Sequence, residues 1–329
     1  MSCGAPIGPR LFRARDEGAV MTIERLGILD FGGRRSHRPS WTAVNETVRA
    51  AQLADRLGYH RYWLAEHQSL SDGWGAAAVM VGHIAAHTEK IRVGSAGVLV
   101  SFHDVFDVAS DYRLLAAMHP ARIDVGIAGG FPAMEALRKH HPPGDYVACV
   151  DALVDLLRRR MEDCEDTAQP LVPVPVDVTV EMPWLLGSGT RSRDTALRHR
   201  TALCCSLFHG PTFDPDVVRG YLDRFEPNAR CPSPQAAICA TVLCAETEAE
   251  AAAIHLRQAA GLQARGAKIN AMGTPRQCAE QLEELADRFG VTEVVVHDVT
   301  RTVPERHRCY ELLAEEMLGL ELVIQPTGS

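Results

Sequence analysis

Two side chains that can move protons, Glu66 and His67, stand directly after a short apolar segment. Tyr62–Leu64 suits a buried strand, and Gly58 ends the helical pattern that precedes it. An imidazole can act as a general acid or base, oriented here by Glu66 or by another carboxylate. Because ligands bind at the carboxyl ends of parallel strands, this position favours a functional site. A surface turn with no chemical role is the alternative.

A second candidate site is the loop that begins at Gly187. It runs Gly187-Ser188-Gly189-Thr190-Arg191-Ser192-Arg193 and leads into a helical pattern. Main-chain amides at the start of a helix, hydroxyls and guanidinium groups all bind phosphate. The loop therefore predicts an anion site, and an ordinary turn capped by Ser192 is the alternative.

The sequence favours no metal site. His103, Asp104 and Asp107 supply one imidazole and two carboxylates without a further spaced ligand, which is typical of a solvated helix start. The ten cysteines include no Cys-x-x-Cys pair. We therefore expect reduced thiols in a cytoplasmic protein.

The composition of the chain limits the classes of partner that it is expected to bind. The chain has 329 residues, of which 46% are hydrophobic, and a net charge of -8. This charge argues against binding nucleic acid or an anionic membrane surface, and no apolar run reaches the roughly 18 residues that a membrane helix needs. Small-molecule ligands are expected. Residues 1–22 are predicted to be a disordered N-terminal extension, and residues 23–329 to be one domain.

The order of the elements predicts a (β/α)8 TIM-like barrel. Eight predicted strands alternate with helices, which favours parallel pairing with right-handed crossovers. No Gly-x-Gly-x-x-Gly follows the first strand, which counts against a Rossmann fold. Residues 131–182 interrupt the alternation of strands and helices and are predicted to be an insertion after strand 4. The predicted strands are 26–31, 62–64, 91–100, 122–128, one from Pro183, 203–208, 236–245 and 293–297. The predicted helices are 41–57, 75–87, 108–118, 146–161, 194–200, 247–263, 275–289 and 306–318.

Several segments together resemble the bacterial luciferase-like flavin monooxygenases, over nearly the whole chain from Arg25 to Met317. Their order and spacing carry the resemblance, since none is specific alone. The segments are Gly58-Tyr59-His60-Arg61-Tyr62-Trp63-Leu64-Ala65-Glu66-His67, Ile91-Arg92-Val93-Gly94-Ser95-Ala96-Gly97-Val98, Leu115 to Gly126, Trp184-Leu185-Leu186-Gly187-Ser188-Gly189, and Met272-Gly273-Thr274-Pro275 with Gln281-Leu282.

The resemblance implies a dimeric TIM-like barrel, here a homodimer. Such an enzyme takes reduced FMN from a separate flavin reductase and uses O2 to oxygenate a small organic molecule, such as a secondary metabolite. His67 matches a histidine that supports the reaction of flavin with oxygen and the proton transfers, and Glu66 matches its neighbouring carboxylate. Ala96 and Gly97 fall where the family often has a bulged, sometimes cis, peptide under the flavin ring. Ser188, Gly189 and Ser192 match the loop that holds the phosphate.

This chain departs from the family pattern at three positions. Gly129 stands where relatives often carry an arginine that pairs with the phosphate, and Arg191 or Arg193 could compensate. The loop after the third strand, which contains Phe102 and His103, lacks the usual Pro, Asn and His-x-Pro. Gln68 replaces a frequent second histidine.

The sequence is therefore compatible with three functions. The first is the FMN-dependent monooxygenase, with Ala96, Gly97, His103, Gly129, Ser188, Gly189, Arg191 and Ser192 contacting the cofactor. The second is hydride transfer with the deazaflavin F420. The third is a divergent member without redox chemistry that binds a metabolite or a partner in the barrel mouth.

Overall fold

The computed structural model describes residues 22–32, 39–67, 73–129, 143–164, 172–208, 213–264 and 268–319. The predicted disordered extension, except residue 22, lies outside the described residues, and so does Gln68.

The strands form a closed parallel barrel. Neighbours pair in the order β1-β2-β3-β4-β5-β6-β7-β9 and back to β1, and β8 pairs with β7 alone. The predicted (β/α)8 fold is confirmed, with β9 as the eighth barrel strand. The strands are β1 Arg25–Asp30, β2 Arg61–Leu64, β3 Arg92–Leu99, β4 Ile123–Ala128, β5 Trp184–Leu186, β6 Ala202–Ser206, β7 Ala236–Cys244, β8 Ala271–Gly273 and β9 Glu293–Asp298.

Helices follow the strands and cover the outside of the barrel. Two 3-10 turns, Val100–Phe102 and Met161–Cys164, add to them. The segment between β4 and β5 contains the predicted insertion, of which the structure describes one helix and irregular chain. The described helices are α1 Ser40–Arg56, α2 Ala77–Ala86, α3 Val105–Met118, α4 Tyr146–Arg158, α5 Thr190–His199, α6 Asp216–Arg224, α7 Glu248–Ala264, α8 Pro275–Phe289 and α9 Val303–Leu318.

Several elements differ from the sequence prediction, among them α3 and α5, which begin at Val105 and Thr190 and not at residues 108 and 194. Strand β8 has only three residues, too few for an alternating pattern, and α6 was not predicted. Helix α9 begins at Val303 and not at Arg306, because the Thr302 hydroxyl accepts from the Glu305 N–H and the Glu305 carboxylate accepts from the Thr302 N–H.

Side chains alternate along each strand between the helices and the barrel interior. On β6, Leu203 and Cys205 pack in the large outer core, whereas Ala202 and Cys204 pack in a smaller inner cluster. The inner cluster also contains Leu29, Trp63, Trp184, Cys239 and Val295. The described side chains therefore fill the interior of the barrel.

Charged side chains close the amino-terminal end of the barrel, here called the floor. Arg61 of β2 contacts Glu293 through Nε and lies 2.5 Å from Asp124 through Nη1, and each of these side chains is at least 96% buried. Arg92 also binds Asp124, at 2.6 Å. Burial alone would raise the pKa of Asp124, but the two arginines hold it below its ordinary value.

Aromatic rings enclose the Arg61 guanidinium. Its Cζ lies 5.0 Å from the Trp63 ring centroid and 4.6 Å from that of Trp184, and the Trp63 indole N–H donates to Asp124 at 2.9 Å. A Cβ at Gly27 would lie 2.6 Å from the Arg61 Cγ. The arginine therefore occupies space that a side chain on β1 would otherwise fill.

We expect Arg61→Met to lower the free energy of unfolding by about 3 kcal/mol or more, because two buried carboxylates lose their shared cation. Urea denaturation at neutral pH measures the change. Arg276→Met, which removes the exposed Arg276–Glu280 pair of α8, is the matched control and should leave the unfolding midpoint unchanged. Equal shifts in the two variants would contradict a stabilising role for the floor.

No helix among the described residues is long and apolar enough to span a bilayer.

Candidate functional site

Alternation along β2 separates the two candidate acid–base residues. Tyr62 and Leu64 pack outward, whereas Trp63 and Ala65 belong to the inner cluster. Continued past the strand end, this alternation puts Glu66 on the outward side and His67 over the barrel. The contacts of the two side chains agree with this separation.

His67 lies in an aromatic cluster at the carboxyl end of the barrel, here called the mouth. The cluster consists of Phe31, His67, Phe208 and His297, which follow or end β1, β2, β6 and β9. The Phe31 ring centroid lies 5.0 Å from that of His67, 4.4 Å from that of His297 and 6.2 Å from that of Phe208. Most of these distances suit aromatic attraction.

A returning loop fixes the position of His67. Gly73 donates its N–H to the Phe31 carbonyl, and the Trp74 N–H donates to the Ala65 carbonyl at 3.2 Å. A Cβ at Gly73 would lie 2.8 Å from the His67 nitrogen, and Gly73 has a positive φ of 83°. Glycine is therefore required where this loop meets the main chain of His67.

Glu66 binds the turn after β3. Its Oε2 accepts from the Leu99 N–H at 3.0 Å, and its Oε1 accepts from the His103 Nε2–H at 2.6 Å. The hydrogen bond to Glu66 raises the pKa of His103 against the opposing effect of burial. Glu66 is itself buried, so this pair fastens the β3 turn to the end of β2.

The expected flavin-ring contact lies at a break in β3. The Ala96–Gly97 peptide is cis, and the pairing register of β3 with β4 shifts between Ser95 and Val98. Ala96 packs against the inner cluster and is partly exposed. A Cβ at Gly97 would lie 2.6 Å from the Leu186 Cδ1. The irregular strand predicted from the glycines is present.

Gly129 and Arg191 are joined by a residue that the sequence analysis did not single out, Tyr146. A Cβ at Gly129 would lie 3.2 Å from the Tyr146 Cε2. The Arg191 guanidinium carbon lies 5.2 Å from the centroid of the same ring. Arg191 thus reaches the end of β4 from the first turn of α5, whereas Arg193 donates to Asp194 at 2.9 Å.

Helix α5 begins at Thr190 and not at Asp194 as predicted, so Thr190 to Arg193 form its first turn. The N–H groups of Ser192 and Arg193 donate to the Gly189 carbonyl at 3.1 and 3.3 Å. The missing Gly189 side chain would meet no atom within 4 Å, so the start of the helix is open. Ser188 is partly buried beside it.

The candidate residues therefore lie on neighbouring parts of the barrel. Ala96 lies within β3, and Gly129 and Ser188 follow the adjacent strands β4 and β5. His297 was missed, although it ends a predicted strand in phase with Glu293 and Val295. No three His, Cys, Asp or Glu side chains in the described ranges are grouped to hold a metal ion.

Comparisons with known proteins agree with this architecture. The family model of the luciferase-like monooxygenases matches residues 24–271. The uncharacterized protein YwcH of Bacillus subtilis (strain 168) is 30% identical over 88% of this chain and 98% of its own length. Apo-MsnO8 has a TM-score of 0.77 at 27% identity, over 91% of this chain and 99% of its own.

A third comparison concerns the fold alone. The oxygenating constituent of 3,6-diketocamphane monooxygenase from the CAM plasmid of Pseudomonas putida, solved with FMN, has a TM-score of 0.66 at 13% identity, over 89% of this chain and 96% of its own. The closed parallel barrel with helices between its strands defines a TIM-barrel protein. The chain belongs to the luciferase-like monooxygenase family.

The Glu66–His103 pair predicts a pH-dependent stability. Since the pKa of folded His103 lies above its ordinary value, the bond contributes most below about pH 6.5 and is lost as the pH rises through the folded value. We expect His103→Gln to lower the urea midpoint more at about pH 5.5 than at about pH 9.

Glu66→Gln provides the control, because it removes the charge that His103 meets. In that background His103→Gln should have the same effect at both pH values. A pH-independent effect of His103→Gln in the otherwise unchanged chain would argue against the pair.

Proposed function

We propose that the chain is a flavin-dependent monooxygenase. It takes reduced FMN from a separate flavin reductase and uses O2 to oxygenate a small, largely apolar organic molecule. Family membership supports monooxygenase chemistry in general. The observation that carries the finer proposal is the placement of three groups on three adjacent strands: Ala96–Gly97 within β3, Gly129 with Arg191 at the end of β4, and Ser188–Ser192 after β5. A homodimer in the cytoplasm belongs to the same proposal.

The residues fit a flavin phosphate. Arg191 carries a guanidinium group held over Tyr146 and is itself exposed. Ser188, Ser192 and the open start of α5 offer hydroxyl and amide donors beside it. These groups would hold the phosphate, and the cis peptide at Ala96–Gly97 would lie against the ring. Bound FMN would supply the electrons that activate O2.

His67 would hold or move a proton beside the ring. It lies over the barrel, and its imidazole contacts Phe31. The neighbouring rings of Phe31 and Phe208 exclude water from this part of the mouth. Water exclusion matters because it prevents the side reactions of reactive intermediates.

The decisive experiment combines the purified chain with FMN, a flavin reductase, NADH and 18O2, and offers a set of small apolar organic compounds. Incorporation of one 18O atom into a product supports the proposal. Titrations with FMN and with F420 accompany the assay, and preference for F420 would favour hydride transfer. Binding of neither cofactor would favour the divergent binding protein.

We expect His67→Asn to lower the oxygenation rate by about 100-fold or more, the usual contribution of a positioned acid or base. The Kd for FMN should change less than twofold, because His67 lies apart from Arg191 and the α5 start. The rate is measured under the same 18O2 conditions. An unchanged rate would remove His67 from the reaction.

We expect Arg191→Gln to weaken FMN binding by about 10- to 100-fold, the effect of losing a charged hydrogen bond. Riboflavin lacks the phosphate, so its affinity should stay constant. Arg193→Gln is the matched control and should have little effect, because Arg193 pairs with Asp194. Fluorescence titration measures all three.

The variant Gly129→Arg distinguishes a phosphate bound at position 129 from a phosphate bound by Arg191. The new side chain would meet the Tyr146 ring and displace it, and with it Arg191. FMN binding should therefore weaken. Tighter binding would show that position 129 meets the phosphate directly and that Arg191 does not replace it.

A further inference from the structure

Two histidines lie one helical turn apart on the outside of the barrel. His83 is in the last turn of α2 and His87 follows its end, and both side chains are exposed. Because residues four apart lie on the same face of a helix, the two rings are neighbours. Their centroids are 4.5 Å apart, with 61° between the ring planes. Neither ring belongs to the candidate flavin site.

The His87 ring is held by a main-chain carbonyl. Its Nδ1 lies 2.8 Å from the His83 carbonyl oxygen, while the His87 main-chain N–H donates to the Ile84 carbonyl. Since a carbonyl only accepts, Nδ1 carries the proton, and in the neutral ring Nε2 has a lone pair. A histidine that binds a metal through one nitrogen usually donates the other N–H to a carbonyl or carboxylate. The His87 ring is therefore oriented as metal-binding histidines are.

The main chain at the end of α2 is held as well. Gln52 of α1 donates its side-chain N–H to the His87 carbonyl at 3.1 Å. Asp55 of α1 accepts from the main-chain N–H groups of Lys90 at 3.0 Å and Ile91 at 2.8 Å. These contacts fix the end of α2 against α1. An ion bound at this position would therefore cost little conformational freedom.

Paired imidazoles at this spacing suit a transition-metal ion. Two histidines four residues apart on one helix face bind Zn²⁺ in the His-Glu-x-x-His motif. Imidazole nitrogen suits Zn²⁺, Ni²⁺ and Cu²⁺, whereas Mg²⁺ and Ca²⁺ take oxygen ligands. Here the residue after the first histidine is Ile84, which is buried and carries no carboxylate. The pair therefore offers two ligands without the general base of that motif.

We propose that His83 and His87 form a surface site for a divalent transition-metal ion, with Zn²⁺ and Cu²⁺ as ions of this class. His87 Nε2 and one ring nitrogen of His83 bind the ion. No third His, Cys, Asp or Glu joins the pair in the described ranges, so water completes the coordination. The site does not rest on the proposed function, because the two share no residue.

Calorimetric titration of the full-length chain with ZnCl₂ at about pH 7.5 tests the site, because most imidazoles are neutral at that pH. We expect His83→Asn to weaken Zn²⁺ binding by about tenfold or more, since the remaining imidazole loses its chelate partner. His83→Asn, His87→Asn and the double variant should bind equally weakly, because a chelate needs both rings. Additive losses in the two single variants, or unchanged binding in the double variant, would overturn the proposal.

The two single variants differ in their effect on the helix end. His83→Asn leaves the capping bond intact, because that bond joins the His83 main-chain carbonyl to the His87 ring. A folding defect in His87→Asn therefore leaves the test standing. His255→Asn, in α7, is the matched control, since it removes an imidazole outside the pair and should keep the affinity for Zn²⁺.

Cu²⁺ gives a readout that counts the ligands. With one equivalent of Cu²⁺, the electron paramagnetic resonance spectrum of the unmodified chain should show coupling to two imidazole nitrogens, and that of His83→Asn to one at most. The pattern should disappear at about pH 5, where protonated imidazoles no longer bind a metal. Oxygen ligation alone in the unmodified chain would contradict the assignment, whether or not the chain binds FMN.

Discussion

The buried contacts of Arg61 are the constraint on which the barrel depends. One guanidinium meets a carboxylate from β4 and another from β9, and two indole rings enclose it. A buried guanidinium at this position is stable only when both carboxylates contact it. These contacts therefore constrain the register of β2 relative to β4 and β9. The absence of a side chain at Gly27 gives the arginine its space. The contacts at the floor therefore determine which residues of each strand face the barrel interior. The same alternation, continued along the strands, determines which residues face the mouth.

This alternation of inward and outward side chains explains why the neighbouring residues Glu66 and His67 have different contacts. Counted from Arg61, the inward positions of β2 are Trp63 and Ala65, so the next inward position is His67. Glu66 falls between them and turns to the β3 loop, where it binds a main-chain N–H and His103. Adjacent acid and imidazole in a sequence therefore do not imply a catalytic pair. On a strand end, residues two apart share a wall and residues one apart do not.

The barrel was predictable because long alternating segments of strand and helix leave few topologies. The irregular β3 was also foreseen from its glycines, and the start of α8 from Thr274 and Pro275. Strand β8 was not predicted, since its three residues carry no alternating pattern. His297 could have been found by extending the alternation from Glu293. Tyr146 could not, because its contact with Gly129 joins a strand end to a helix inside the insertion, and no local pattern encodes that approach.

The contact of Tyr146 with Gly129 changes how the departure from the family pattern at Gly129 is interpreted. Taken alone, glycine in place of arginine indicates a lost phosphate contact. A Cβ at position 129 would lie 3.2 Å from the Tyr146 ring, so the glycine leaves room for that ring, and the ring packs against Arg191 in the first turn of α5. A positive charge is thereby supplied near the end of β4 from a different strand. In the proposed flavin site, Arg191 would then supply this charge from a neighbouring element, because the segments that follow adjacent strands share one mouth.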